Sequence, residues 1–136
     1  DRESIVARCR DLVARFAVRT SSPQASVSSL SGGNRQRFEV GRALESHPAV
    51  LVAHNVCRGL DLMAFAEIHR HLSSYARSGG ALLLISSDLD ELLTTCDRLA
   101  VIHAGRLVFT SPKQRSAAAL GLLMAGKSVS THPAGV

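Results

Sequence analysis

Apolar residues recur every three or four positions in two long stretches, which places them on one face of a helix in each. The residues that form these faces are Ile5, Cys9, Leu12 and Phe16 within residues 1–16, and Phe65, Ile68, Leu72 and Tyr75 within residues 62–78. Gly79 and Gly80 end the second stretch. The pattern predicts two amphipathic helices, each with one face in a hydrophobic core.

Short uninterrupted apolar runs alternate with helical segments and predict buried strands. Ala49–Ala53 and Ala81–Ser86 are such runs. Arg98–His103 and Arg106–Phe109 are separated only by Ala104–Gly105, which predicts a two-residue β-hairpin. The order strand, helix, strand, helix, strand favours an α/β fold with a mostly parallel sheet that ends in a hairpin.

Three further helices are predicted from the residues at their ends. Ser31 and the two glycines after it open the first, and Pro48 stops it. Asp88 opens a short helix over Leu89–Cys96, and a last helical stretch covers Pro112–Ala125. Each of these segments follows or precedes a predicted strand or hairpin, as an α/β fold requires.

The remaining segments supply no further strand. Residues 17–29 are rich in Ser and Thr around Pro23 and predict a loop, and residues 128–136 predict a frayed tail. Parallel strands need helices on both faces, and only two or three core strands can be found. The sheet is therefore predicted to be incomplete.

Composition narrows the class of protein. The chain has 136 residues, enough for one domain, and 46% are apolar, which argues against disorder over most of its length. Its three cysteines lack CxxC spacing, which argues against a disulfide framework and fits a reducing compartment. No apolar run reaches the roughly 18 residues of a membrane span, and the acidic start, without Met, is not a signal peptide. We expect a soluble, cytoplasmic chain that is a piece of something longer.

The basic excess is small and dispersed. Sixteen Lys and Arg against eleven Asp and Glu give a net charge of +5. Such an excess suits nucleic acid, phosphates or an acidic partner. Because the charges form no basic block, a solvated surface is the favoured interpretation.

The most specific chemical feature is the segment Leu30–Arg37, LSGGNRQR. Two glycines at a helix start let main-chain amides approach an anion closely, the Ser31 hydroxyl adds a donor, and the helix dipole adds partial positive charge. Ser-Gly-Gly is also an ordinary flexible turn. The segment therefore predicts a phosphate-binding helix start only together with its context.

In its context this segment resembles the signature motif of ABC-type ATPases. Val50–Asp61 is similar to that family's Walker B strand and D-loop, and Ala81–Val108 to its switch strand, short helix and closing hairpin. The forms LSGGN, RGLD and SDLDELL, with the terminal Gly121–Gly126, are most similar to importers of sugars and nucleosides, in particular to their second ATPase domain. The resemblance covers about residues 1–126.

The resemblance implies an incomplete P-loop NTPase-type core with part of the family's helical subdomain. Residues 1–48 would belong to that subdomain and carry the signature motif, and residues 49–110 to the C-terminal part of the ATPase core. Residues 111–136 would form a C-terminal helix and a flexible tail. The P-loop itself would precede Asp1 in a longer protein.

The resemblance also implies a role for each matching residue. Those that would contact the γ-phosphate of ATP held on an opposite ATPase domain are Ser31, Gly32 and Gly33, with Asn34 and Gln36 nearby. Asp61 would be the D-loop residue that communicates across the dimer. The implied cofactors are ATP and Mg²⁺ in the assembled dimer. The implied partners are a second ATPase domain and membrane permease subunits at the cytoplasmic face of the cell membrane.

Three positions depart from a hydrolytic site. His54 stands where the family has the Walker B aspartate, Asn55 where it has the catalytic glutamate, and Ser87 where it has the switch histidine. An amide has no useful basicity, and a neutral imidazole suits Mg²⁺ poorly. We therefore expect no intact catalytic residues and no hydrolysis by the chain in isolation.

Other interpretations of single features are weaker. His54 and Cys57 lack a second His/Cys pair, so no metal site is predicted. Gly121–Ser128 matches the P-loop pattern GxxxxGK(S/T), but it follows a helical stretch rather than a strand, which indicates coincidence.

Two other functions compete with that of an importer subunit. A nucleic-acid-binding repair ATPase would carry long coiled coils before the signature, whereas residues 1–29 hold one short helix, so no nucleic-acid partner is expected. A catalytically inert dimerisation or regulatory fragment that lacks the P-loop is the alternative function.

Overall fold

A computed structural model describes residues 1–127 and divides the chain into two compact units, one of Asp1–Ile85 and one that begins at Ser86. The first unit contains α1 (Arg2–Arg15), α2 (Gly32–Glu45), β1 (Val50–His54), α3 (Leu62–Arg77) and β2 (Ala81–Ile85). The second contains α4 (Leu89–Thr95), β3 (Ala100–His103), β4 (Arg106–Phe109) and α5 (Ala117–Met124). The predicted tail at 128–136 lies outside the described residues, and the predicted three-part division at residues 48 and 110 stays a prediction.

Acidic side chains start two helices of the first unit. The Asp1 carboxylate accepts a hydrogen bond from the main-chain N–H of Glu3 at 3.3 Å, and that of Asp61 accepts from Ala64 N–H at 2.8 Å. Each satisfies a donor that a helix start leaves unpaired and suits the positive end of the helix dipole. The candidate D-loop residue Asp61 is thus the N-cap of α3.

The first unit's sheet is a parallel pair, with β1 Val50 opposite β2 Ala81 and β1 His54 opposite Ile85. One face of the pair packs on the core through Leu51 and Leu82. The large apolar residues of the other face are 42–60% exposed: Val50, Val52, Leu83 and Ile85. Parallel strands are usually covered on both faces. The α/β fold and the incomplete sheet are therefore confirmed.

The core of the first unit lies between α1, α2, α3 and the covered face of the strand pair. Its buried members are Leu12, Phe16, Val18, Val40, Cys57, Ile68 and Leu72. Ile68 and Leu72 are each 1% exposed, and burial of such a side chain stabilises the fold by about 1.5–3 kcal/mol. Ile5, predicted on the same face as Leu12, is 65% exposed and Cys9 is half-buried, so the fully buried part of that face begins at Leu12.

The second unit has a smaller core of Leu99, Val101 and Leu120, around which α4 and α5 pack. β3 and β4 form the predicted antiparallel hairpin, with His103 opposite Arg106. Ala104 has a φ of 47° and Gly105 a φ of 75°. Two positive values are what a type I′ turn requires, and this turn matches the twist of the strands.

The prediction of a single helix over Pro112–Ala125 is wrong for the first part of that segment. Pro112–Gln114 is a 3₁₀ turn, and Arg115 has the non-helical φ −88° and ψ 66°. Ser116 then opens α5, and its hydroxyl accepts from Ala119 N–H at 3.2 Å. Ser116 is therefore a second helix cap in the middle of the predicted segment, so a separate helix starts there. No helix in the described part of the chain has the length and apolar character needed to cross a membrane.

Candidate functional site

The signature segment forms the start of α2. Ser31 is extended, with φ −61° and ψ 159°, and its carbonyl accepts from Arg35 N–H at 2.8 Å. Its hydroxyl makes no capping bond to the helix amides. The first N–H groups of a helix have no partner within the helix. The start of α2 therefore offers main-chain donors that its own cap residue leaves available.

The two glycines keep this helix start open. A Cβ at Gly32 would meet nothing within 4 Å, and one at Gly33 would lie 3.4 Å from Cδ2 of Leu60. Leu60 belongs to the loop after β1, so Gly33 marks the contact between the signature segment and the D-loop-like segment. Without side chains at these two positions, an anion can approach the amides closely.

A cleft of about 430 Å³ lies at this contact. The residues that line it are Gly32, Gly33, Arg35, Gln36, Glu39, Arg58 and Gly59. Two guanidinium groups and one carboxylate give the cleft an excess of positive charge, which adds to that of the helix start. The arrangement suits a phosphate group.

The structure separates the predicted site residues into two sets. Gly32, Gly33 and Gln36 line the cleft, whereas Ser31, Asn34 and Asp61 are not among its lining residues. The Asn34 amide instead bonds within the chain, to Ser31 and to the main chain of Arg19.

Arg58 lines the cleft but is not among the predicted site residues, as is also true of Arg35, Glu39 and Gly59. It is exposed, and its main-chain N–H donates to Asn55 O at 3.2 Å, within a turn that Gly59 completes at φ 76°. The sequence signal was an arginine between a predicted strand and a predicted helix. That signal does not show that the turn reaches the start of α2, because the approach depends on packing of Leu60 against Gly33.

Arg37 holds the site's elements together rather than lining its cleft. Its Nη1 donates to Ala17 O at 3.1 Å, and its Nη2 lies 3.0 Å from a carboxylate oxygen of Glu67 on α3. The Arg37 and Glu67 side chains are 15% and 21% exposed. This half-buried pair ties α2 both to α3 and to the turn after α1.

The end of β1 carries no acid. His54 is exposed, and its Nε2 lies 3.1 Å from the Asn55 amide nitrogen. Asn55 has a φ of 51°, and its main-chain N–H donates to Ile85 O at 2.8 Å. An amide and an imidazole bonded to each other do not form the oxygen-rich donor set that Mg²⁺ prefers. These residues do not fit a magnesium site.

Ser87 and the P-loop-like match belong to the second unit. Ser87 is exposed and follows β2. Residues 121–124 of the match lie inside α5, and its last residue, Ser128, lies outside the described residues. A P-loop follows a strand and opens a helix. The described part of the match instead ends a helix, as the coincidence interpretation predicts.

Comparison with curated proteins finds homologues among import ATP-binding proteins, although no family model matches the chain. The chain is 38% identical over 130 residues to the nucleoside import ATP-binding protein NupA of Lactococcus lactis subsp. cremoris, covering 95% of the chain and 26% of that protein. It is 37% identical over 122 residues to the guanosine import ATP-binding protein NupO of Bacillus subtilis, covering 89% and 24%. It is 39% identical over 116 residues to the ribose import ATP-binding protein RbsA 2 of Streptomyces avermitilis, covering 85% and 23%. The chain spans about a quarter of the length of these relatives.

Solved structures show the same fold. The ADP conformation of MJ1267, an ATP-binding cassette of an ABC transporter, matches with a TM-score of 0.64 at 21% identity, covering 90% of this chain and 46% of that one. A second structure of MJ1267 matches with a TM-score of 0.69 at 20% identity, covering 89% and 48%. Over most of its length the chain is therefore homologous to sugar and nucleoside import ATP-binding proteins, and its fold is that of an ATP-binding cassette of an ABC transporter.

Proposed function

We propose that the chain supplies the signature half of a composite ATP site in an importer of nucleosides or sugars. The observation that carries this proposal is the start of α2, where Gly32 and Gly33 leave main-chain donors open beside a cleft that also contains Arg35 and Arg58. The relatives named for nucleoside, guanosine and ribose import indicate the class of solute.

At this half-site the chain binds and orients phosphate. The amides of Gly32 and Gly33, with the Ser31 hydroxyl, donate to γ-phosphate oxygens, and Gln36 contributes an amide from the next turn. Arg35 and Arg58 balance the phosphate charge from the two sides of the cleft. ATP supplies the phosphoanhydride bond whose cleavage drives transport.

The chain does not supply the groups that cleave this bond. A general base must accept a proton near neutral pH, and the amide of Asn55 cannot. His54 does not hold magnesium well, and the hydroxyl of Ser87 lacks the charge of a histidinium. Hydrolysis and Mg²⁺ binding therefore belong to a partner ATPase domain that carries the P-loop and Walker B carboxylates.

The proposal implies two partners and a location. A second ATPase domain, in the same or another polypeptide, faces the start of α2, and the D-loop-like Asp61 communicates with it. Permease subunits contact the helical segment of residues 1–48. The assembly lies on the cytoplasmic face of the cell membrane, and the chain corresponds to the C-terminal part of an ATPase domain, in the second-domain position.

The alternative is a catalytically inert fragment that acts only as a dimerisation or regulatory surface. The chemistry of His54 and Asn55 favours it for the isolated chain. Calorimetric titration of the 136-residue chain with Mg·ATP should show no tight binding under either proposal. ATP-dependent association with a P-loop-containing ATPase domain is expected only if the signature half-site functions.

Substitution of Gly33 by Asp tests the proposal directly. The new carboxylate would stand where the γ-phosphate docks, so ATPase activity of the assembled transporter should be abolished by charge repulsion. Gly121→Asp is the matched control, because Gly121 lies in α5 with nothing within 4 Å of its Cβ position. Activity that survives Gly33→Asp as well as it survives the control would refute the signature assignment.

A further inference from the structure

The side chain of Asn34 is fixed by two hydrogen bonds within the chain. Its Oδ1 accepts from the main-chain N–H of Arg19 at 2.7 Å, and its Nδ2 lies 2.9 Å from Oγ of Ser31. A main-chain N–H can only donate, so the atom facing Arg19 must be the amide oxygen. The orientation of the amide is therefore determined by its partners.

This orientation determines whether the Ser31 hydroxyl donates to Asn34 or accepts from it. The Asn34 NH₂ group can only donate, so Ser31 Oγ must accept from it. The hydroxyl proton of Ser31 is then left to point elsewhere. Since this hydroxyl caps no amide of α2 and Ser31 is exposed, the proton is available to an acceptor outside the chain.

The Arg19 end of this bridge is itself held in place. Val18 is 6% exposed, and its N–H donates to Val13 O at 2.9 Å. Ala17 has a φ of 47°, and its carbonyl accepts from Nη1 of Arg37 on α2. The main chain before Arg19 is thus hydrogen-bonded to α1 and α2, and these bonds place the Arg19 N–H where it donates to the Asn34 amide.

We propose that Asn34 is a positioning residue that presents the Ser31 hydroxyl to phosphate as a donor. Its amide oxygen accepts from Arg19 and its amide nitrogen donates to Ser31, so both ends of the amide have partners within the chain. This inference rests on the proposed function of the signature segment. It assigns Asn34 an indirect role, through Ser31, in the nucleotide binding that the family resemblance implies.

A double-mutant cycle in the assembled transporter tests the inference through the KM for Mg·ATP and kcat. Ser31→Ala removes a hydrogen bond to a charged group and should raise KM roughly ten- to hundredfold. Asn34→Ala should raise KM in the same direction. Because the effect of Asn34 runs through Ser31, adding Asn34→Ala to Ser31→Ala should change KM by less than about twofold.

Asn34→Asp tests the polarity of the hydroxyl. The carboxylate still accepts from Arg19 N–H, so this anchor is retained, but it cannot donate to Ser31. The Ser31 hydroxyl would then donate to the new carboxylate and present only lone pairs to phosphate. The added charge also repels phosphate, and the same substitution in the Ser31→Ala background measures that repulsion alone. We expect Asn34→Asp to raise KM several-fold more when Ser31 is present than in the Ser31→Ala background, where only the charge acts.

The possible outcomes separate this inference from the proposed function. No effect of Ser31→Ala would overturn the positioning role, whereas the proposed function would still stand if Gly33→Asp abolished ATPase activity. An effect of Ser31→Ala with an independent, additive effect of Asn34→Ala would leave the proposed function in place and overturn the positioning role. Amide NMR spectra of the 136-residue variants check that α2 stays folded; in Asn34→Ala, the Arg19 amide resonance alone should lose its hydrogen-bonded shift.

Discussion

Gly41 of α2 packs directly on the ring of Phe16, so that a Cβ at Gly41 would lie 2.7 Å from Cδ2 of Phe16 and 3.1 Å from Cδ2 of Leu12. All three residues are buried. α1 and α2 therefore approach each other at a point where only glycine fits. This contact is part of the core that supports the start of α2.

Gly41→Ala should destabilise the first unit. Overpacking a filled core costs about 1–3 kcal/mol, and the better helix propensity of Ala offsets up to about 1 kcal/mol of it. A contact of 2.7 Å places the cost in the upper part of that range. We therefore expect a net loss of about 1–2 kcal/mol in the free energy of unfolding, measured by hydrogen exchange of α1 and α2 amides. Gly121→Ala is the control: nothing lies within 4 Å of its Cβ position in α5, so the α5 amides should gain protection. An equal gain in both variants would contradict the close contact.

Acid should weaken the first unit through His71. Its ring lies 4.2 Å from that of Phe16, and burial, then the charge of Arg70, lowers the pKa of His71 below 6.5, while Glu67 opposes the shift and Arg15 adds to it. Between the lowered pKa and 6.5 the unfolded chain binds more protons, so stability rises with pH through that window.

The His71 contribution is therefore complete above pH 6.5 and is lost as pH falls toward the folded-state pKa. Urea unfolding at about pH 7.5 and about pH 5.5, on either side of the ordinary histidine pKa, measures it, with His71→Gln as the comparison that removes the titrating group. The natural chain should lose more stability on acidification than the variant. An equal loss in both proteins would show that His71 does not contribute.

Arg115 should stabilise the second unit, because its side chain binds main-chain carbonyl groups at the end of α4. Its guanidinium donates to the main-chain oxygens of Leu93, Cys96 and Asp97. Hydrogen bonds from a charged donor contribute about 1.5–3 kcal/mol, so Arg115→Ala should lower the free energy of unfolding of this unit by about that amount. Arg115→Lys should recover only part of the loss, because one ammonium cannot reproduce the fork. Exposed Arg106 is the control, and its substitution by Ala should change stability by less than about 0.5 kcal/mol.

Periodicity predicted the elements whose stability comes from one buried face. α3 follows from the spacing of Ile68 and Leu72, both of which are fully buried. The division of the predicted Pro112–Ala125 helix did not follow, because Ser111 and Gln114 form a local capping box that competes with a continuous helix. Local side-chain hydrogen bonds, rather than the average helix propensity of the segment, therefore determine where the last helix starts.

The candidate site likewise has one part that the sequence predicts and another that it does not. The start of α2 follows from Ser31 and the glycines after it, since a motif and a helix signal coincide there. The bond from Arg19 to Asn34 depends on a turn in which Ala17 has a positive φ, a conformation that nothing in the composition of that turn favours. Groups brought together by tertiary packing, as Arg58 is, need the folded chain to be found.

Lys127→Ala should leave the affinity of the assembled transporter for Mg·ATP unchanged, although Lys127 is the lysine of the P-loop-like pattern. The lysine of a real P-loop stands at a helix start, where amides and the dipole favour phosphate. Lys127 instead follows the end of α5, and its N–H donates to Leu122 O at 2.9 Å. Carbonyl groups at that end carry partial negative charge and disfavour phosphate. Lys113→Ala removes the chain's other lysine and serves as the control for charge alone. A roughly tenfold loss of affinity in Lys127→Ala but not in Lys113→Ala would establish a phosphate site at the end of α5.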